Sequence, residues 1–301
     1  MKIIFMGTPD FAVASLKKLV ENGCDVVAVI TAPDKPSGRG LQMNETPVKK
    51  YAVLKNIPVL QPEKLKNPEF LEQLRSFDAD LQVVVAFRML PEVVWAMPRK
   101  GTFNLHGSLL PQYRGAAPIN WAVINGEVET GVTTFFIEKE IDTGKIIFAD
   151  KIPILPEDNA GTIHDKLMEI GADLVLKTVR AIETGDYPQV PQLQDIELKA
   201  APKIFKETCE INWNQPAEQI HNFVRGLSPY PAAWTLLQGK VCKIYKTQIV
   251  ENQELSDEPF ITDGKKHLMF KSADKMIAVE ELQLEGKKRM GVEEFLRGYR
   301  F

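Results

Sequence analysis

The run from Leu81 to Phe87, LQVVVAF, constrains this chain more than any other stretch. Its apolar side chains do not alternate with polar ones, so both faces of the strand it predicts have to be covered. Strands of that kind lie in the middle of parallel sheets whose faces carry helices. Lys2 to Met6, Asp25 to Thr31 and Ile57 to Leu60 read as further strands of the same sheet. Thr8 with Pro9, and Thr46 with Pro47, each read as a cap and a first-turn proline that start a helix, the first of which ends near Asn22 and Gly23. Strand and helix in regular alternation predict parallel β-α-β units, and so an α/β, Rossmann-like open sheet.

Such a sheet invites a dinucleotide, and the sequence declines it. GTPDF after the first strand has one glycine where the G-x-G-x-x-G fingerprint needs three, and no G-x-x-x-x-G-K-[ST] loop occurs. The site has to be found from its chemistry-bearing residues, not from the fold. A net charge of -3 and a pI near 5.9 argue against a chain that coats nucleic acid indiscriminately, while leaving a local basic patch open. Cys24, Cys209 and Cys242 are scattered, with no C-x-x-C pair, which reads as reduced thiols and not as a disulfide framework or zinc site. The apolar run in MKIIFMGTPDF is too short for a signal peptide, and no other run approaches membrane-spanning length. A cytoplasmic protein without a membrane partner is expected.

The stretch richest in chemistry is Phe103 to Tyr113, FNLHGSLLPQY. Asn104 and His106 occupy alternate positions of a predicted strand, so both side chains leave the same face. Gly107 and Ser108 then break the strand and Pro111 removes a donor, which predicts backbone groups free for a ligand just past the two polar side chains. A strand end whose Asn and His serve local backbone groups has the same spelling, but ligands of parallel sheets sit at the carboxyl ends of strands. Ala117 to Asn125 reads as a helix, Gly131 to Glu138 as a strand, and Asp142 falls in the turn IDTGK before a strand from Ile146 to Ile152. The crossover is expected to return the chain beside the first strand and bring Asp142 near His106. The plainer reading of Asp142 is a side chain that serves its own turn. Asp-Thr-Gly also occurs in aspartic proteases, but those need two copies and an all-β fold.

Asn159 to Gly185 predicts a long helix with Ile163, Leu167, Ile170, Leu174 and Ile182 toward a core. The proline-rich segment 188–206 reads as a linker that separates residues 1–187 from a second domain, residues 207–301. There a short helix from Pro216 to Arg225 precedes several short strands separated by turn residues, which suggests a small OB-like β-barrel.

HGSLLPQYRGAAPINWA, together with GTPDFA, ETGVT and IDTGKI, resembles the 10-formyltetrahydrofolate-dependent formyltransferases over essentially the whole chain. The loop PDKPSGRG, from Pro33 to Gly40, and the C-terminal barrel narrow the resemblance to the branch that acts on initiator methionyl-tRNA. It implies transfer of a formyl group from 10-formyltetrahydrofolate to the α-amine of the aminoacyl-tRNA. That chemistry requires no metal, and a monomer is expected. It implies Asn104, His106 and Asp142 as the catalytic trio, and a folate held by the loop of Ser108, Leu109, Leu110 and Pro111. The strand end from Phe87 to Leu90 would line the pterin pocket. Here the sequence departs from the pattern: VVVAFRMLP is about a residue shorter than the usual A-Y-G-x-x-L-P and carries Arg88.

Lys35 and Arg39 in the loop, and Lys287, Lys288 and Arg289 beside the barrel, read as contacts to tRNA phosphates, though solvated turns have the same composition. From Ile204 onward 14 Lys and Arg stand against 14 Asp and Glu, so any tRNA binding there has to come from a local face. Two rival readings share most of these features: a nucleotide-sugar amine formyltransferase, and a non-catalytic folate- or tRNA-binding protein.

Overall fold

The computed structural model describes residues 1–37, 42–193 and 196–301. By internal contacts the chain falls into two units, Met1–Arg114 with Gly131–Ile152 and His164–Lys199, and Gly115–Thr130 with Pro153–Ile163 and Ala200–Phe301.

In chain order the elements through the long helix are β1 (Lys2–Gly7), α1 (Asp10–Glu21), β2 (Asp25–Ile30), β3 (Lys35–Ser37), β4 (Gln42–Asn44), α2 (Pro47–Leu54), β5 (Val59–Leu60), α3 (Pro68–Ser76), β6 (Leu81–Val85), α4 (Glu92–Trp95), β7 (Thr102–His106), β8 (Arg114–Gly115), α5 (Pro118–Ile124), β9 (Glu129–Phe136), β10 (Ile146–Pro153) and α6 (Ala160–Thr184). Seven strands form one sheet in the order β10-β9-β7-β6-β1-β2-β5. β6 is the central strand and is buried along its whole length, as its unbroken apolar run requires. β5, β2, β1, β6 and β7 run parallel.

β9 departs from the expected all-parallel winding. It lies antiparallel beside β7, with Phe135 opposite Asn104 and Thr133 opposite His106. The return beside the first strand does not occur because β2 and β6 already flank β1, and the open edge belongs to β7.

α1 begins one residue later than expected, with Pro9 at the cap in an extended conformation and no side-chain cap bond. Gly7 explains the tight entry. A Cβ there would lie 2.6 Å from the Ala12 Cβ and 2.9 Å from the Val85 carbonyl oxygen, so strand end and helix start press together. α2 starts as expected: Thr46 Oγ1 accepts from the Lys49 N–H at 3.1 Å and pairs with the Thr31 hydroxyl at 2.8 Å in a buried position. On α6, Ile163, Leu167, Leu174 and Ile182 are buried, whereas Ile170 is half-buried. Gly171 lets this helix close on β7, since a Cβ would meet Leu105 at 2.8 Å, and the buried hydroxyls of Thr178 and Thr134 tie it to β9 at 2.9 Å.

The second unit adds β11 (Ala200–Ala201), a 3-10 turn (Lys206–Cys209), α7 (Ala217–Leu227), β12 (Ala233–Leu237), β13 (Lys240–Val250), β14 (Phe260–Thr262), β15 (Leu268–Lys271), β16 (Met276–Leu284), β17 (Met290–Gly291) and α8 (Val292–Gly298). The last six strands form an antiparallel sheet, order β12-β13-β16-β15-β14, with β17 on β16. Register shifts on both sides of Lys246 bend β13 and curl the sheet into a half-barrel that stays open between β12 and β14. Ile220, Val224 and Leu227 of α7 share its core with Ile244, Ile277 and Leu282.

The segment expected as a linker is tied down. Val190 exchanges two backbone hydrogen bonds with Ile146, at 2.8 and 2.9 Å, and β11 pairs with β8. The three cysteines are free thiols. Among the described residues no helix is long and apolar enough to cross a membrane.

The double use of Thr46 makes a stability prediction. Thr46→Ala removes a helix cap and leaves the buried Thr31 hydroxyl without its partner, so urea unfolding should show a loss of about 2 kcal/mol.

Candidate active site

β7 ends at His106, whose ring is buried. Its Nε2 lies 2.8 Å from the Tyr113 carbonyl oxygen. A carbonyl can only accept, so Nε2 carries the hydrogen and donates. Nδ1 then faces Asp142 Oδ2 at 3.8 Å, within ion-pair range but longer than a hydrogen bond. The Phe135 ring stands edge-on to the imidazole at 6.4 Å. Asn104, two residues back on the same face, is half-buried, and its carboxamide has no hydrogen bond among the described residues.

Both oxygen-bearing partners of the imidazole adopt left-handed backbone, Tyr113 at φ 60 and Asp142 at φ 56. The Asp142 turn closes through Gly144, where a Cβ would fall 1.7 Å from the Phe136 carbonyl oxygen. Only a glycine fits there. Within the turn Thr143 Oγ1 donates to the Glu140 carbonyl at 3.0 Å, and further ties come from a segment the sequence reads as a linker. Gln192 Nε2 donates to the carbonyl oxygens of Asp142 and Gly144, both at 2.8 Å. The Tyr113 N–H donates to the Lys199 carbonyl at 2.6 Å.

The loop after β7 corrects an expectation. Backbone groups of Ser108, Leu109 and Leu110 are taken: Thr133 Oγ1 donates to the Ser108 carbonyl at 2.7 Å and accepts from the Leu110 N–H at 3.1 Å, and the Gln112 N–H donates to the Leu109 carbonyl at 3.1 Å. Ser108 Oγ donates to the Gln112 carbonyl at 2.7 Å. Ser108 and Leu110 are buried, Leu109 and Pro111 half-buried. Thr133 escapes a sequence reading because GVTTFF spells only a strand; its signal is the register that sets it opposite His106.

Phe87 is half-buried and Leu90 buried, both against the core that contains Ile4, Met6 and Val84. Arg88, the departure from the family pattern, turns away to the neighbouring loop, where it donates to the carbonyls of Pro62 and Glu63.

The basic residues fare differently. Lys35 is exposed on β3, and Arg39 lies outside the described residues. Lys288 pairs with Glu294 at 2.9 Å, and Arg289 makes a two-pronged contact to Glu281, at 2.7 and 2.6 Å, over the Tyr245 ring. Of that cluster only Lys287 lacks an ion pair among the described residues. Two of the five expected phosphate contacts, Lys288 and Arg289, therefore already have carboxylate partners.

Thr133→Val keeps the shape of the side chain and strips both loop bonds, leaving a buried N–H and a buried carbonyl unpaired. Chemical denaturation should register a loss of about 2 to 4 kcal/mol.

The formyl transferase family model matches residues 1–179, and the model of the formyl transferase C-terminal domain matches residues 203–300. The methionyl-tRNA formyltransferase of Bacteroides thetaiotaomicron is 56% identical, covering 100% of this chain and 96% of that protein. That of Phocaeicola vulgatus is 58% identical with the same coverage. Among solved structures, the sugar 3N-formyl transferase WlaRD, determined in the presence of dTDP and 5-N-formyl-THF, superposes with a TM-score of 0.69. The match covers 96% of this chain and 99% of that one; at 21% identity it speaks to the fold alone. With both family models matched in sequence order along one chain, and relatives above half identity over its full length, this chain belongs to the formyl transferase family.

Proposed function

We propose that the chain transfers the formyl group of 10-formyltetrahydrofolate to the α-amine of initiator methionyl-tRNA. The observation that carries this reading is the identity of 56 to 58% with two methionyl-tRNA formyltransferases across 96% of their length. A folate donor is supported by family membership and by the formyl-THF present with the similarly folded WlaRD.

The reaction needs an oxyanion donor and a proton acceptor. The amine nitrogen attacks the formyl carbon, its bond forms as the carbonyl π bond opens, and a negative oxygen and a positive nitrogen appear together. Asn104 is the polar group at the site with an uncommitted carboxamide, so it donates to that oxygen. His106 has turned Nε2 to Tyr113 and Nδ1 toward Asp142. Its part in this reading, as an imidazolium with a hydrogen on Nδ1 as well, is to hold the carboxylate beside the reacting atoms. Asp142 accepts the ammonium proton, directly or through one water. Collapse of the intermediate breaks the bond to N10 of tetrahydrofolate, and the proton that Asp142 took up passes to N10 as it leaves, directly or through one water. The loop of Ser108 to Pro111 and the strand end at Phe87 and Leu90 hold the folate.

Asn104→Ala should lower kcat by about 100-fold or more, the usual cost of one oxyanion donor, while folate binding stays within a few-fold. Asp142→Asn should do likewise. Equilibrium titration with folate and single-turnover formylation separate the two effects; lost folate affinity with normal turnover per bound complex would contradict the assignment. Replacing the charged tRNA with an amino-sugar nucleotide should give no formylated product.

Lys35 and Arg39 remain the proposed tRNA contacts. Replacing both by Ala should raise the KM for tRNA and flatten its dependence on salt, leaving the KM for the folate unchanged. An unaltered response to tRNA concentration removes the loop from the mechanism.

A further inference from the structure

The Asp142 turn has little apolar packing. Residues 138–141 are exposed, Ile141 at 59%, so polar ties must fix where the carboxylate stands. Asp142 itself holds a left-handed backbone at φ 56, which a turn Asp tolerates at some cost and which further ties help to keep.

Gln192 supplies such ties. Its side chain is 8% exposed and spends its full hydrogen-bonding capacity at this place. The two N–H groups go to the carbonyls of Asp142 and Gly144, at 2.8 Å each. The oxygen accepts from Arg114 Nε at 3.1 Å and Nη2 at 2.6 Å. Arg114 has no carboxylate partner among the described residues, so its charge rests on the amide oxygen and strengthens the two N–H donors opposite. Arg114 also follows Tyr113, whose carbonyl receives the imidazole hydrogen. One amide thus joins both segments that grip His106. Val190 is paired to Ile146 two residues away, which anchors Gln192 to the start of β10.

We propose that Gln192 is a positioning residue for formyl transfer: it sets the reach of the Asp142 carboxylate to His106 and the amine, and contributes nothing to substrate binding. This inference rests on the reading of Asp142 as the proton acceptor.

The test uses the full-length enzyme with Gln192→Met, which keeps the shape and loses all four bonds, and Gln192→Glu, which keeps the contact to Arg114 and cannot donate to either carbonyl. Each is made alone and combined with Asp142→Asn, and kcat, both KM values and the melting temperature are measured. Misplacement of an acting group by about an ångström costs up to roughly 100-fold in rate. Both single variants should therefore lose about 10- to 100-fold in kcat at unchanged KM. In the Asp142→Asn background the further loss should shrink to about 2-fold or less, since the carboxylate being positioned is gone.

A folded Gln192→Met enzyme with normal kcat overturns the proposal. So do losses that multiply in full with those of Asp142→Asn, because they would mark a general structural role. Should Gln192→Met fail to fold, Gln192→Glu decides by the same criteria. If Asp142→Asn alone keeps full turnover, the reading of Asp142 falls first, an outcome distinct from additive losses.

Discussion

The placement of His106 between two oxygens is the constraint that the rest of the site obeys. A buried imidazole has two ring nitrogens to satisfy, and here they look to segments far apart in sequence, the Tyr113 carbonyl and the Asp142 carboxylate. Both partners hold left-handed backbone, which costs of order 1 kcal/mol or more per non-glycine residue. Strain of this kind persists only where surroundings over-determine it. Lys199 and Gln192 do so, the first taking the Tyr113 N–H and the second the Asp142 carbonyl.

That dependence explains which parts of the molecule were legible in the sequence. The strands β1, β2 and β6 were, because unbroken β-branched runs have few other solutions. Alternate positions on β7 placed Asn104 and His106 on one face, again by a short-range rule. The direction of β9 was not, because alternation of strand and helix carries no information about which edge remains open once β2 and β6 flank β1. Nor was the proline-rich segment. Side-chain bonds from Gln192 and single backbone bonds at Val190 and Lys199 have no period, so a stretch that clamps the site spells like a linker. Thr133 was hidden for a related reason: its role depends on register with β7, a property of pairing between distant residues.

Charge was legible only as composition. KKR at 287 to 289 reads as a phosphate-binding patch, yet Lys288 and Arg289 spend their charge on Glu294 and Glu281. Exposed pairs of this kind are weak, about 0 to 1 kcal/mol, so they would not forbid a phosphate; they do remove the reason to expect one. Arg88 is the converse. It breaks the family spelling, and the structure gives it neutral partners, the carbonyls of Pro62 and Glu63, which tie β6's end to the loop beyond β5.

Among the polar side chains of the site, satisfaction is distributed unevenly, and the unevenness has chemical content. His106, Ser108, Thr133 and Gln192 have partners within the protein, while the Asn104 carboxamide has none among the described residues. Half-buried, and not among the side-chain atoms sealed off without a partner, that carboxamide stays open to a ligand atom. A rigid frame of satisfied groups around one unsatisfied donor fits a site in which charge appears on a ligand atom only during reaction. In the reaction proposed above the frame would need no reorganisation at that moment, and the open donor would gain most as the oxygen it meets becomes negative. In that reading His106 is part of the frame, its orientation fixed by Tyr113 and its second nitrogen turned to Asp142.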